Sequence, residues 1–198
     1  MTAREQILAL QWAQLKHDES YHKDIVILPP AQRMKHMTLH YTKYTAHILD
    51  AVERDDDTRL AKTVTDAFII ALASANTLNQ DLGLELGEIT EASPSLTMLG
   101  NRFATDLNRS SADPLWLVRA FARHTGRLAK ACESWDHLEA VPFLETMKNG
   151  NAELFKALLA EASARGLHLA DTYKARICEI ENRSIFARYS HEDAGSKA

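Results

Sequence analysis

Residues 67–75 read AFIIALASA and, wound as a helix, are apolar around nearly the whole circumference. Such a helix faces water on no side, so other helices must enclose it. The rest of the chain supplies them. Met34, Met37, Tyr41, Tyr44, Ile48 and Val52 recur at three- and four-residue steps, which predicts a helix over about 31–53 with one core-facing stripe. A first helix over about 3–20 is expected to turn Ile7, Leu8, Leu10, Trp12 and Leu15 inward. The charged run 54–57 breaks the pattern, and Asp57 is the expected N-cap of the enclosed helix at about 58–80. Breakers gather over 82–101, with a short helix near 97–107. Asp113-Pro114 reads as the start of a helix to about 133. A short amphipathic stretch over 137–148 should stop at Asn149-Gly150, with Asn151 capping a further helix closed by Gly166, and a last helix spans about 169–184. The one β-branched cluster, Ile25-Val26-Ile27-Leu28, runs into Pro29-Pro30 and reads as an extended linker. The expected fold is all-α, a bundle of about six to eight helices.

Charge and composition narrow the function classes. With 23 Lys and Arg against 27 Asp and Glu, the net charge of −4 offers no global field for a polyanion, so nucleic acid is not favoured as a partner. No run approaches the roughly 18 apolar residues a bilayer span needs, so no membrane partner is expected. The opening Met-Thr-Ala-Arg-Glu-Gln lacks the pattern of a secretory signal, which points to a cytoplasmic chain with Cys132 and Cys178 as free, buried thiols. Trp12, Trp116 and Trp135 are assigned to core or interface. There is no glycine-rich phosphate loop, nucleophile elbow or paired-cysteine metal signature.

The two halves share a grammar. His40-Tyr-Thr-Lys43 precedes a helix end, a polar connection, an apolar helix carrying Asp66 near its start, and then Gly83-Leu84-Glu85-Leu86. His124-Thr-Gly-Arg127 precedes the same succession, with Glu153 near the start of the apolar helix and Gly166-Leu167-His168-Leu169 at its end. This suggests a duplication with a pseudo-two-fold, although helical chains also produce such patterns by coincidence. The division expected is a first half at 1–108, a second at 109–189, and a disordered tail at 190–198.

In layout the chain resembles the MazG-like all-α nucleoside triphosphate pyrophosphohydrolases. The likeness rests on a tryptophan-bearing first helix (Leu10-Gln-Trp12), a proline turn, the segment 30–40 leading into the first motif helix, the apolar helix with Asp66, the repeat of this plan with residues 152–169 as its best stretch, and the closing Tyr173-Lys174 and Glu181-Asn182-Arg183. In that family carboxylates on two facing helices hold magnesium, which bridges the phosphates. Here the first-motif acids fall on Leu39, His40 and Lys43, and in the second half on Arg123, His124 and Arg127. None of these replaces a magnesium-bound carboxylate. Thr63 and Gly150 stand three residues before the surviving acids, Asp66 and Glu153.

The resemblance therefore implies a divergent, non-catalytic member. It would bind a nucleotide, another phosphorylated ligand or a protein partner at an inter-helix cleft, with candidate residues His40, Lys43, Asp66, His124, Arg127 and Glu153. Asp66 would face His40 and Lys43 across the helix pair, a buried cation–carboxylate set replacing the metal centre as a structural relic. The alternative is an active pyrophosphohydrolase, with Asp50, Glu53, Glu133 or Glu145 completing a magnesium site; apart from that magnesium no cofactor is expected. Homo-oligomers are expected. Competing bland readings remain. His36, His40, Lys43 and His47 share one helix face that could simply be solvated, although the i, i+4 imidazoles of His36 and His40 could also chelate a transition metal. Asp66 and Glu153 could merely offset a helix dipole.

Overall fold

The computed structural model describes residues 1–137 and 139–184. These form ten helices and no strand: α1 (Ala3–Tyr21), α2 (Lys23–Val26), α3 (Pro30–Glu53), α4 (Asp57–Thr77), α5 (Leu82–Glu85), α6 (Glu88–Glu91), α7 (Leu96–Asp106), α8 (Trp116–Asp136), α9 (Phe143–Ala164) and α10 (Leu169–Glu181). Seven are long, and α2, α5 and α6 are single turns. Among the described residues no helix is long and apolar enough to cross a membrane. The tail expected at 190–198 and the end of the second half, 185–189, lie outside the described residues.

The centre is a set of four helices in which α3 packs on α4, α8 on α9, α3 on α8 and α4 on α9. As its composition demands, α4 is enclosed: α1, α3, α9 and α10 all lie against it, and Ala67, Phe68, Ala71, Leu72 and Ala75 are wholly buried. A buried polar knot ties α3, α4 and α9 together. The Tyr41 hydroxyl donates to Asn151 Oδ1 at 2.7 Å, and Asn151 Nδ2 donates to the Ala71 carbonyl at 3.1 Å and to Gln80 Oε1 at 2.9 Å. Arg109 clamps the buried Glu161 of α9 with two hydrogen bonds of 2.9 and 3.0 Å.

That knot explains a departure from expectation. Asn151 caps nothing, because Asn149-Gly150 does not interrupt the chain and α9 runs unbroken through both. Gly150 is there for closeness: a Cβ at this position would lie 2.6 Å from Leu128 Cδ2 on α8, so the absent side chain lets the two helices approach. Two caps also shift. Asp56, whose carboxylate accepts from the Arg59 amide, caps α4, with Asp57 inside the first turn. At α8, Asp113 is an ion-pair partner of Arg119 and makes no side-chain cap. The expected linker at 25–28 begins as helix α2, since Ile25 and Val26 belong to its turn. Gly166 closes α9 as expected, at φ +66°.

The inward face of α1 differs most. Leu8 and Trp12, expected inside, are 54% and 59% exposed, whereas Gln11, Gln14 and His17 are buried. Trp135 is exposed too, and of the two thiols only Cys132 is buried.

Candidate functional site

The inward polar stripe of α1, the turn of α2, one face of α3, the middle of α4 and the end of α10 enclose a cavity of about 310 Å³. Its floor is apolar, with Ile25 and Val26 from α2, Met37 from α3 and Ile69, Ile70 and Ala73 from α4. Its polar groups come from four separate helices, and His36, His40 and Lys43 stand on the i, i+4, i+7 positions of α3.

Of the six residues singled out in sequence, three meet here: His40, Lys43 and Asp66. Their arrangement differs from the cation–carboxylate set expected. Asp66 is gripped by Arg176 of α10, whose Nε donates to Oδ1 at 2.6 Å and whose second nitrogen donates to Oδ2 at 3.3 Å. This forked pairing, with both side chains less than a fifth exposed, raises the guanidinium pKa chiefly through the hydrogen bond to Asp66. Asp66 also lies mid-way along α4, too far from its N-terminus for a dipole role.

His40 is not the cation the pattern suggested. Burial, then the charges of Lys43 and His36, push its pKa down from 6.5 to about 4, with Asp66 pulling the other way. Lys43 Nζ donates to His40 Nδ1 at 3.1 Å and lies 4.6 Å over the Tyr44 ring. An ammonium has only protons to give, so Nδ1 accepts and the neutral ring carries its proton on Nε2, which faces His36 Nε2 at 3.0 Å. Lys43 and Arg33 are the cavity's cations without a carboxylate partner among the described residues; Lys43 stands exposed at the mouth, and the Arg33 Nε is buried with no hydrogen-bond partner.

The other candidates occupy a separate, smaller pocket of about 150 Å³ between α8 and α9, where His124 and Glu153 meet Trp116, Arg119 and Arg123. Arg127 is exposed and does not line it, although its charge helps hold the His124 pKa below the usual value, a shift due first to burial and opposed by Glu153. Glu153, again mid-helix, accepts from Lys156 of its own helix at 2.7 Å. Among the described residues the acids offered for a magnesium site, Asp50, Glu53, Glu133 and Glu145, join no cluster of three or more possible ligands, and Asp50 pairs with Arg59 and Glu133 with Lys130.

Sequence reasoning missed Arg176, Arg33, Gln14, His17, Asp18 and His22. A signal existed for part of the set, because Gln11, Gln14 and His17 continue the stripe of Ile7 and Leu10 at helical spacing. Nothing local marks Arg176.

Compared with known proteins, the chain matches no family model, no curated protein and no solved structure. It is an all-α protein to which no family is assigned.

Proposed function

We propose that the protein binds a nucleotide or another phosphorylated small molecule in the cavity between α1, α3, α4 and α10, as a divergent, non-catalytic bundle of MazG-like layout. The observation that carries this reading is the pairing of two cations that form no ion pair among the described residues, Lys43 and Arg33, with an apolar floor in one cavity of about 310 Å³. Lys43 at the mouth and the buried Arg33 Nε both suit phosphate oxygens, and the floor suits the organic body of such a ligand. The volume lies at the lower end of the roughly 300–1,000 Å³ usual for small-molecule sites, whereas the second pocket falls below it. His40 serves here as a neutral group, giving its Nε2 proton within the site. The hydrolase alternative lacks support, since Asp66 is taken by Arg176 and the remaining acids join no cluster of possible ligands among the described residues. Self-association finds support in the exposed Leu8 and Trp12 of α1.

The test is a panel of nucleoside triphosphates and inorganic pyrophosphate, followed by melting temperature and by pyrophosphate release. A ligand at 100 times its Kd stabilises by about 2.7 kcal/mol. An upward shift with no turnover is the expected outcome. Turnover abolished by chelator contradicts the non-catalytic reading, and no shift with any member contradicts the binding.

A further inference from the structure

The end of α1 brings to the cavity wall a group of side chains that the phosphorylated-ligand reading does not use. His17, Asp18 and His22 each place one ligand atom within 4.8 Å of the others, the one such group of histidines, cysteines and carboxylates among the described residues. The local fold makes this happen. His17 and Asp18 are neighbours on the last turn but one of α1, and the chain leaves helical geometry at His22, with φ −126° and ψ 42°, between α1 and α2. That break returns the His22 ring to within 5.2 Å of the His17 ring, edge-on at 65°.

The state of His17 shows what the group lacks. Its side chain is 2% exposed, and its Nδ1 lies 2.9 Å from Glu181 Oε1 on α10. A carboxylate accepts, so Nδ1 holds the proton of that bond. Nε2, the nitrogen left over, is buried without a hydrogen-bond partner among the described residues, in a side chain that lines the cavity. Buried polar atoms are rarely left so. An imidazole fixed by a carboxylate at one nitrogen and bare at the other is the arrangement in which histidines ligate metals. Asp18 is held in a similar way, its Oδ1 accepting from the buried Gln14 Nε2 at 2.8 Å.

We propose that His17, Asp18 and His22 bind a divalent transition-metal ion, with His17 ligating through Nε2 and with Glu181 and Gln14 orienting the ligands. Two imidazoles and one carboxylate suit zinc and its neighbours; magnesium prefers an all-oxygen shell. Three protein ligands leave a coordination position for water or a ligand oxygen, and the cavity adjoins it. The His36–His40 pair stays outside the site, because the Lys43 hydrogen bond places the His40 proton between the two rings. The site needs no anion in the cavity, so it stands or falls separately from the phosphorylated-ligand reading.

The experiment is calorimetric titration of the chelator-stripped full chain with Zn²⁺, and with Co²⁺ followed by visible absorption, in buffer free of phosphate. One equivalent per chain is expected, undisturbed by excess Mg²⁺. His22→Gln and Asp18→Asn should each weaken binding at least about tenfold, and Glu181→Gln by about 10–100-fold, the effect of losing an outer-shell partner. His22 is only half-buried, so its replacement spares the core, and far-UV circular dichroism confirms folding of each variant. His137→Gln, on an exposed residue, should retain full affinity. Absence of stoichiometric binding to the parent chain overturns the proposal. So does undiminished binding by the folded His22→Gln and Asp18→Asn variants, or a loss confined to His36→Gln.

Discussion

The clefts on α3/α4 and on α8/α9 begin from the same local chemistry and end differently. Each has a histidine on its first helix, a basic residue three positions on, and an acid mid-way along its second. In each, burial lowers the histidine pKa while the facing acid opposes it. The first is roofed by α1, α2 and α10, which add Asp18, two histidines and the arginine that grips Asp66. The second has no such roof; its acid is left to Lys156 on the same helix, and its pocket has half the volume. A helix pair thus supplies a face, and the helices laid across it decide whether that face becomes a site.

This contrast is open to mutation, and stability shows the largest effect. Asp66→Ala takes the forked partner from a mostly buried Arg176, which keeps its ion pair with Glu179 of the same helix, and we expect a loss of roughly 1–3 kcal/mol in urea unfolding. Glu153→Ala, which breaks a more exposed pair within one helix, should cost under about 1 kcal/mol. Equal losses would erase the distinction between the two clefts.

A smaller effect lies in acid. His40 has a folded pKa of about 4 against the ordinary 6.5, so between those values the unfolded chain binds the extra proton and stability rises with pH. The His40 contribution is full above pH 6.5, falls away as pH drops toward 4, and is flat below. Water around the half-buried ring limits the loss to about 1–2 kcal/mol. Subtracting the unfolding curves of His40→Gln from those of the parent chain isolates it. His124→Gln should give a difference of the same sign, and a larger one than His40→Gln would reverse the ranking of the two sites.

Much of the fold was legible because helical period and turn residues are local signals. The long helices follow the apolar stripes, and α4 is surrounded because AFIIALASA leaves no other arrangement. The errors are where a tertiary contact overrode local grammar. Gly150 looks like a stop until Leu128 is seen resting on it, and Asn151 looks like a cap until Tyr41 and Ala71 are seen to use it. In the site, the spacing of His40 and Lys43 and the presence of Asp66 could be read directly. The buried stripe of α1 carries the spacing of Ile7 and Leu10 but not their chemistry, since glutamine and histidine normally mark an outer face and only the cavity behind them reverses that sense. Arg176 is 110 residues from Asp66, beyond the reach of any local pattern.

The smallest effect probes the open side of α8. Nothing lies within 4 Å of where a Cβ would stand on Gly126, between His124 and Arg127, so Gly126→Ala should stabilise by about 0.5–1 kcal/mol through helix propensity alone. A loss on thermal melting would mean that something covers this face after all.

The most direct measurement is calorimetric titration of nucleoside triphosphates and pyrophosphate into the parent chain, Lys43→Ala and Arg123→Ala. We expect one binding site per chain for at least one of these ligands, weakened at least about tenfold, or 1.4 kcal/mol, by Lys43→Ala and unchanged by Arg123→Ala. No binding to the parent chain, or a loss on Arg123→Ala with Lys43→Ala intact, would contradict the assignment of the ligand site to the roofed cleft.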